Sequence, residues 1–330
     1  MLAGGEDNRP MRNPTLHDVA RAAGVSYSTA DRVLNGRGGM AVKSVQRVRQ
    51  AIEDLGYRRD ITAANLSRRR SYRFAACMPP GDHGFFSAIR RAFLAEAEAR
   101  AGQRIVIELY DGAPPAGYDC VVVAGAGQDV IEALTAGDVP VVTLVTDIPG
   151  PRRAYIGIDN RVAGRTAGRL HRIAHRGRPA RVLPVLGSAA LRDHRDRLAG
   201  VAEVLGADSL LPPIEVQDNP DRMHDLLGRA LHEDPGITGI YSIGAGNRGL
   251  IPLMRGLGAR RPFVVLHELT PQSRAALQDD LIDVVIDQKP AEEVACALDA
   301  MKAIADDEAP APVTITPAIF FKENLPGVPA

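Results

Sequence analysis

The chain has no tryptophan and little aromatic surface: Phe, Trp and Tyr together make up 4% of its 330 residues. It has three cysteines, Cys77, Cys120 and Cys296, which lie far apart and are odd in number. That pattern excludes a disulfide framework and offers no metal-ligand spacing, so neither a metal nor a cofactor is expected. The thiols read as buried side chains in a reducing compartment. Lysine is scarce too, with only Lys43, Lys289, Lys302 and Lys322 among 40 basic residues. No run approaches the ~20 apolar residues that a membrane-spanning helix needs, so no membrane partner is expected. The opening MLAGGEDNRPMRNPT holds no apolar stretch of the kind a secretory signal requires. These absences lead to the expectation of a cytoplasmic protein with a short disordered lead over 1–13.

What is present is enough chain for two or three domains. The formal net charge is zero, yet it is unevenly spread. Residues 1–73 hold 14 Lys+Arg and 7 Asp+Glu, a net of +7, which leaves 26 and 33 for the remainder, a net of −7. A basic head on an acidic body is the asymmetry expected when one end meets a polyanion.

The head carries helix punctuation at short intervals. Thr15 is a helix cap with Asp18 three positions on, and Leu16, Val19, Ala20 and Ala23 share one helical face. Gly24 breaks that helix, and Val25 is the apolar residue that packs the turn. Ser26 caps a second helix that runs to Leu34, where Asn35-Gly36 supplies a left-handed stop. A third helix is predicted over 42–55, with Val45, Val48, Ile52 and Leu55 as its stripe and Gly56 as its end. Three such helices bury one small core and leave the second free to enter a major groove. On that second helix Tyr27, Ser28 and Arg32 are the candidate readers, since Arg pairs bidentately with guanine and hydroxyls meet base edges or phosphates. The competing reading of the same three residues is a solvated helix face.

The run TLHDVARAAGVSYSTADRVLNGRGGMAVKSVQRVRQAIEDLGYRRD, residues 15–60, resembles the headpiece of the lac repressor (LacI) family, element by element: D-V-A, A-G-V-S, S-T, R-V-L-N-G and L-G-Y. The resemblance implies a helix-turn-helix headpiece over 14–60. It places DNA contacts at Thr15, Ser26, Tyr27, Ser28, Thr29, Arg32 and Asn35. It also implies a hinge helix and linker over 61–72 that forms on DNA, with Ala63 packing the two copies and Leu66 as a wedge in the minor groove. A flexible basic linker is the alternative for that segment. One departure is Asp31, where the family carries serine; it pairs with Arg32 or Lys43, or it alters operator preference.

From residue 73 onward, short β-branched runs alternate with helical ones. Strands are predicted at 74–78, 104–109, 120–124, 141–145, 154–158, 181–186, 214–217, 239–243, 263–266 and 283–286. This rhythm means parallel sheets covered by helices, and ten strands fit two doubly wound subdomains better than one. Only YDGAPPAGYD separates the second strand from the third, too short for the usual crossover helix.

The body resembles the periplasmic-binding-protein-like effector domain of the same family, in its ribose-type branch. The resemblance implies an effector domain over 73–322, with an N-subdomain of about 73–160 plus 288–305, a C-subdomain of about 161–287 plus 306–322, and a tail over 323–330. It implies a sugar, polyol or related effector held between the subdomains. Phe85 and Phe86, in the run Asp82-His83-Gly84-Phe85-Phe86, would stack on a sugar face. Asp159, Arg197 of the run HRDRLAG, Asn247, Glu268 and Gln288 would hold hydroxyls. Glu268 stands where relatives carry aspartate. Burial in the core, a surface charge and a helix cap are the plain alternatives for the phenylalanines, Arg197 and Asn247. His171 and His175, four apart on a predicted helix, read as a solvated face rather than a metal site.

The expected function is a transcription regulator, a repressor of carbohydrate or polyol genes, working as a homodimer on a palindromic double-stranded operator in the nucleoid. The C-terminal FFKENLPGVPA has no leucine heptad, which points to dimers over tetramers. No catalytic residue is expected. The rival enzyme reading rests on Gly244-Ala245-Gly246-Asn247-Arg248-Gly249, a G-x-G-x-x-G between a strand and a helix, with Glu268 ending the next strand. Alone it would suggest a nicotinamide-dependent oxidoreductase. A third reading is a cytoplasmic sugar-binding protein, which leaves the basic head unexplained.

Overall fold

The computed structural model describes residues 14–34, 40–57, 70–80, 84–125, 128–148, 150–244 and 246–327. It divides into two compact units, 1–70 and 71–330, a boundary that falls inside the linker expected over 61–72.

The first unit holds three helices: α1 (Leu16–Ala22), α2 (Tyr27–Leu34) and α3 (Val42–Leu55). Thr15 and Asp18 close a reciprocal capping box on α1, which satisfies two of the amides a helix start leaves orphaned. Gly24, at φ +60°, makes the left-handed turn into α2. Ser26 Oγ then accepts from the amide of Thr29 at 3.1 Å. Val19, Ala20, Ala23, Ala30, Val48 and Ala51 form the small core. Ala51 takes the place expected of Leu55, which lies exposed at the end of α3. The expected stop at Asn35 and the hinge residues Ala63 and Leu66 lie outside the described residues.

The second unit contains two sheets. The first has order β2-β1-β3-β4-β5, all parallel: β1 (Tyr72–Cys77), β2 (Ile105–Tyr110), β3 (Cys120–Ala124), β4 (Val141–Leu144) and β5 (Ala154–Ile156). Helix α4 (Gly84–Ala99) packs on one face and α5 (Gln128–Ala136) on the other. The second has order β11-β10-β9-β8-β6-β7. Its strands are β6 (Val182–Leu186), β7 (Ile214–Glu215), β8 (Gly239–Ser242), β9 (Phe263–His267), β10 (Val284–Asp287) and β11 (Ala318–Phe320). Helices α6 (Asn160–Ala174), α7 (Arg192–Leu205), α8 (Pro220–Glu233), α9 (Asn247–Leu257) and α10 (Pro271–Gln278) connect and cover it. All ten predicted strands are present. The eleventh was not foreseen, and it is the one antiparallel member of its sheet.

The chain crosses between the sheets three times. It leaves β5 to enter α6, returns from β10 into α11 (Pro290–Ala305), which packs on the first sheet, and crosses again from α11 to β11. The first and third crossings lie side by side, joined by a parallel bridge between Ile158 and Ile315.

The connection from β2 to β3 holds no helix, as its length requires. Two tyrosines cover the sheet instead. Tyr118 is buried against Ala75, Val121 and Val123, and its ring meets that of Tyr110 edge-on at 5.9 Å. Both hydroxyls donate to Glu108 Oε2, at 2.8 and 3.0 Å, and the Arg73 guanidinium lies 4.9 Å from the Tyr118 ring. An aromatic lid with satisfied hydroxyls replaces the missing turn of helix.

Candidate functional site

In the first unit α2 presents Tyr27, Ser28 and Arg32 to solvent. Tyr27 is 47% exposed and its ring lies 4.4 Å from that of His17, which fixes its direction. Not every expected contact is free in this way. The Thr15 hydroxyl donates to Asp18 Oδ2 at 2.6 Å, and Ser26 Oγ bonds both Ser28 and Thr29 at 2.9 Å. Thr15, Ser26 and Thr29 therefore build the helix starts, while Tyr27 and Arg32 stand clear of them.

In the second unit the loops at the carboxyl ends of both sheets enclose a cavity of about 280 Å³. That is where open α/β sheets bind ligands. Phe85, Phe86, Arg197, Asn247, Glu268 and Gln288 all line it. The two phenylalanine rings meet edge-on at 5.5 Å. Asp159, expected with them, does not. Its carboxylate accepts from the amide of Val162 at 2.9 Å and caps α6 on the exposed side. The next residue, Asn160, turns inward and is buried.

Arg197 is the centre of the arrangement. It is 2% exposed; its Nε donates to Asn160 Oδ1 at 2.8 Å and its Nη1 to the carbonyl of Ile243 at 2.9 Å. Nη2 has no protein partner. A buried guanidinium with an idle donor in a cavity is a waiting contact, because leaving it unmet is costly. Helix packing sets its place. Gly164 and Gly200 let α6 and α7 meet backbone to backbone, and a Cβ at Gly164 would overlap the carbonyl of Arg197 itself.

Carboxyl groups gather around it. Asp193, one turn before Arg197, lines the cavity with Oδ1 unpartnered. The Glu268 carboxyl accepts from Gln288 Nε2 at 2.5 Å through Oε1, while Oε2 has no protein partner. Burial pushes the Glu268 pKa up to about 8, against the pull of Arg197. Glu293, wholly buried on α11, is pushed up in the same sense by burial and by Glu268. His194 also lines the cavity; burial pulls its pKa down, and its Nδ1 lies 3.2 Å from the Ser188 amide. Across the mouth, Asp147 of the first sheet accepts from Arg192 of α7 at 3.0 Å.

Sequence reasoning passed over Asn160, Asp193, His194 and Asp218. Asp193 carried a usable signal, since it lies four residues before Arg197 and so shares its helix face. His171 and His175 correct an expectation. Both are buried, ringed by Phe263, because that side of α6 faces the second sheet rather than solvent. Burial pulls the His171 pKa down to about 3. Among the described residues no group of His, Cys, Asp and Glu is arranged to hold a metal ion. No helix there is long and apolar enough to cross a membrane.

The glycine-rich loop opens onto the cavity, but its setting differs from a phosphate cradle. Asp218 Oδ1 would lie 2.8 Å from a Cβ at Gly244, so a carboxylate occupies the space beside the loop. Dinucleotide pyrophosphate brought to that place would meet like charge. Gly249 serves the contact of α9 with α8, where a side chain would overlap the carbonyl of Pro220.

Residues 15–60 match the family model described as bacterial regulatory proteins, lacI family, and residues 74–309 match that of a periplasmic binding protein domain. The chain belongs to the lacI family. Its second unit, 71–330, is the periplasmic-binding-protein body of such a protein. Among its relatives is the HTH-type transcriptional regulator DegA of Bacillus subtilis, 22% identical over 58% of this chain and 60% of that one. Another is catabolite control protein A of Staphylococcus aureus, 25% identical over 59% of this chain and 62% of that one. The match thus spans about three fifths of these relatives. The maltose regulon regulatory protein MalI of Escherichia coli is 35% identical over 34% of this chain and 36% of its own length. Solved structures share the fold of the body. The glucose-galactose binding protein GanP of Geobacillus stearothermophilus covers 78% of this chain and 99% of itself, with 20% identity and a TM-score of 0.68. A solute binding protein of Burkholderia graminis, solved with D-arabinose, covers 77% and 96%, with 17% identity and a TM-score of 0.67.

Proposed function

We propose that this chain is a sequence-specific DNA-binding transcription regulator, a repressor of sugar or polyol genes, controlled by a small polyhydroxylated effector in the cavity. The observation that carries this reading is a cavity lined by Arg197, Asp193, Glu268 and Gln288, each of which keeps one buried polar atom without a protein partner. Mixed donors and acceptors beside the Phe85 and Phe86 rings suit a ligand with hydroxyls on its rim and carbon on its face. The relatives named as transcriptional regulators, and the exposed Tyr27 and Arg32 on α2, support the DNA-reading half. In this reading two copies pair in the cytoplasm, on the nucleoid, and two α2 helices read the halves of a palindrome. The effector changes the angle between the two sheets and so the affinity for the operator; a hundredfold change needs only ~2.7 kcal/mol of coupling. No reaction is assigned to the chain.

Selection of bound sites from random DNA tests this, repeated with D-ribose, D-arabinose, D-allose, D-tagatose, D-glucose, D-galactose and myo-inositol. The expected result is a palindrome whose enrichment changes with one of these compounds. Absence of any enriched sequence in every condition contradicts the DNA-reading half. Enrichment that no compound changes, with no compound binding, contradicts the effector half.

A further inference from the structure

We infer that Asn160 is a positioning residue for the effector: its amide holds the Arg197 guanidinium against the segment by which the chain first crosses between the two sheets. This rests on the reading of the cavity as an effector site. Asn160 is the first residue of α6, directly after β5 of the first sheet, and α6 packs on α7 of the second. It is buried, and its Oδ1 accepts from Arg197 Nε at 2.8 Å.

The bond has a geometric consequence. A guanidinium is planar, so fixing Nε and Nη1 fixes the direction of Nη2. Asn160 holds the first and the Ile243 carbonyl the second. Nη2 is then the nitrogen left without a protein partner. Without Asn160 the plane turns about a single remaining bond, and the idle nitrogen loses its aim. A second crossing segment repeats the design. Gln288 follows β10 where the chain returns to the first sheet, and it holds Glu268 at 2.5 Å. Each of two crossings therefore carries an amide bonded to one ionisable group of the cavity. An effector that engages Arg197 pulls on the crossing segment through Asn160, so occupancy and sheet angle are linked by that bond.

The test compares Asn160→Ala, Asn160→Asp and the unaltered full chain. Three quantities are read: affinity for the compounds of the panel by calorimetry, thermal midpoint without ligand, and the Arg197 Nε–H signal by NMR. Loss of one hydrogen bond to a charged group predicts affinity weakened at least about tenfold in Asn160→Ala. Asn160→Asp keeps an acceptor at the same place and is expected to restore most of that affinity. The Arg197 Nε–H signal should be slow to exchange in the unaltered chain and in Asn160→Asp, and fast in Asn160→Ala. A lower midpoint in Asn160→Ala with unchanged affinity and signal overturns the inference and leaves the effector reading standing. Should Asn160→Ala fail to fold, Asn160→Ser, too short to reach Nε, is read in the same way. If the unaltered chain binds none of the compounds, the effector reading falls and this inference falls with it.

Discussion

The amide of Gln288 donates to one oxygen of Glu268 at 2.5 Å, and the other oxygen of that carboxyl is buried with no protein partner. Burial raises the pKa of Glu268 from 4.5 to about 8. The folded state therefore keeps a proton that the unfolded state releases. Through this group alone the unfolded chain binds fewer protons between pH 4.5 and about 8, so the Glu268 contribution makes stability fall as pH rises through that window and levels off above it. Glu268→Gln removes that contribution, so stability in the variant should fall less, or rise more, with pH across the window than in the unaltered chain. Urea midpoints taken across the window check this. Glu293 shifts in the same direction, so Glu293→Gln should move the slope further the same way, while His171, His194 and His267, lowered by burial, keep a rise of stability with pH below 6.5 in every variant. A double variant whose slope equals that of the unaltered chain contradicts the burial argument.

The crossing of α6 and α7 sets a second expectation. Gly164→Ala drives a methyl group into the Arg197 carbonyl, and Gly200→Ala drives one into that of Arg161. Overpacking of this kind costs about 1–3 kcal/mol, and here it also moves Arg197. Gly256, in α9, is the control, because a Cβ there meets nothing within 4 Å. Gly256→Ala should stabilise by about 0.5–1 kcal/mol through helix propensity alone. Chemical denaturation of the three variants gives opposite signs if the packing is as described, and like signs if it is not.

Tyr118 supplies a third. It covers the sheet where a crossover helix is missing, so Tyr118→Ala should cost about 3–5 kcal/mol, the range for losing a buried aromatic ring. Tyr118→Phe keeps the ring and gives up the bond to Glu108, at about 1 kcal/mol. Similar losses for both variants would show that the hydroxyl, not the ring, holds that face.

How much of this was legible in the sequence follows from how local each signal is. The helix starts at Thr15 and Ser26 and the ten β-branched strands are written in neighbouring residues, and they appear where expected. Strand β11 is three residues long, follows Pro317, and is made by pairing with residues about thirty positions earlier, so no local pattern announced it. Six of the seven expected cavity residues meet there because each follows a strand at the same end of its sheet. Asp159 was preferred over Asn160 because a carboxylate suits hydroxyls. Helix geometry gave Asp159 the cap and pointed its neighbour at Arg197. His171 looked solvated because its polarity said nothing about α6 having a sheet on one side and a helix on another.

In the proposed function α2 reads bases and Arg32 does part of the reading. Binding to the selected palindrome and to a scrambled duplex, by fluorescence anisotropy at moderate salt, tests it most directly. Arg32→Ala should lose about 1–3 kcal/mol of discrimination between the two duplexes, the worth of one bidentate base contact, while the unit keeps its fold. Unchanged affinity and unchanged preference in Arg32→Ala would show that Arg32 reads no base.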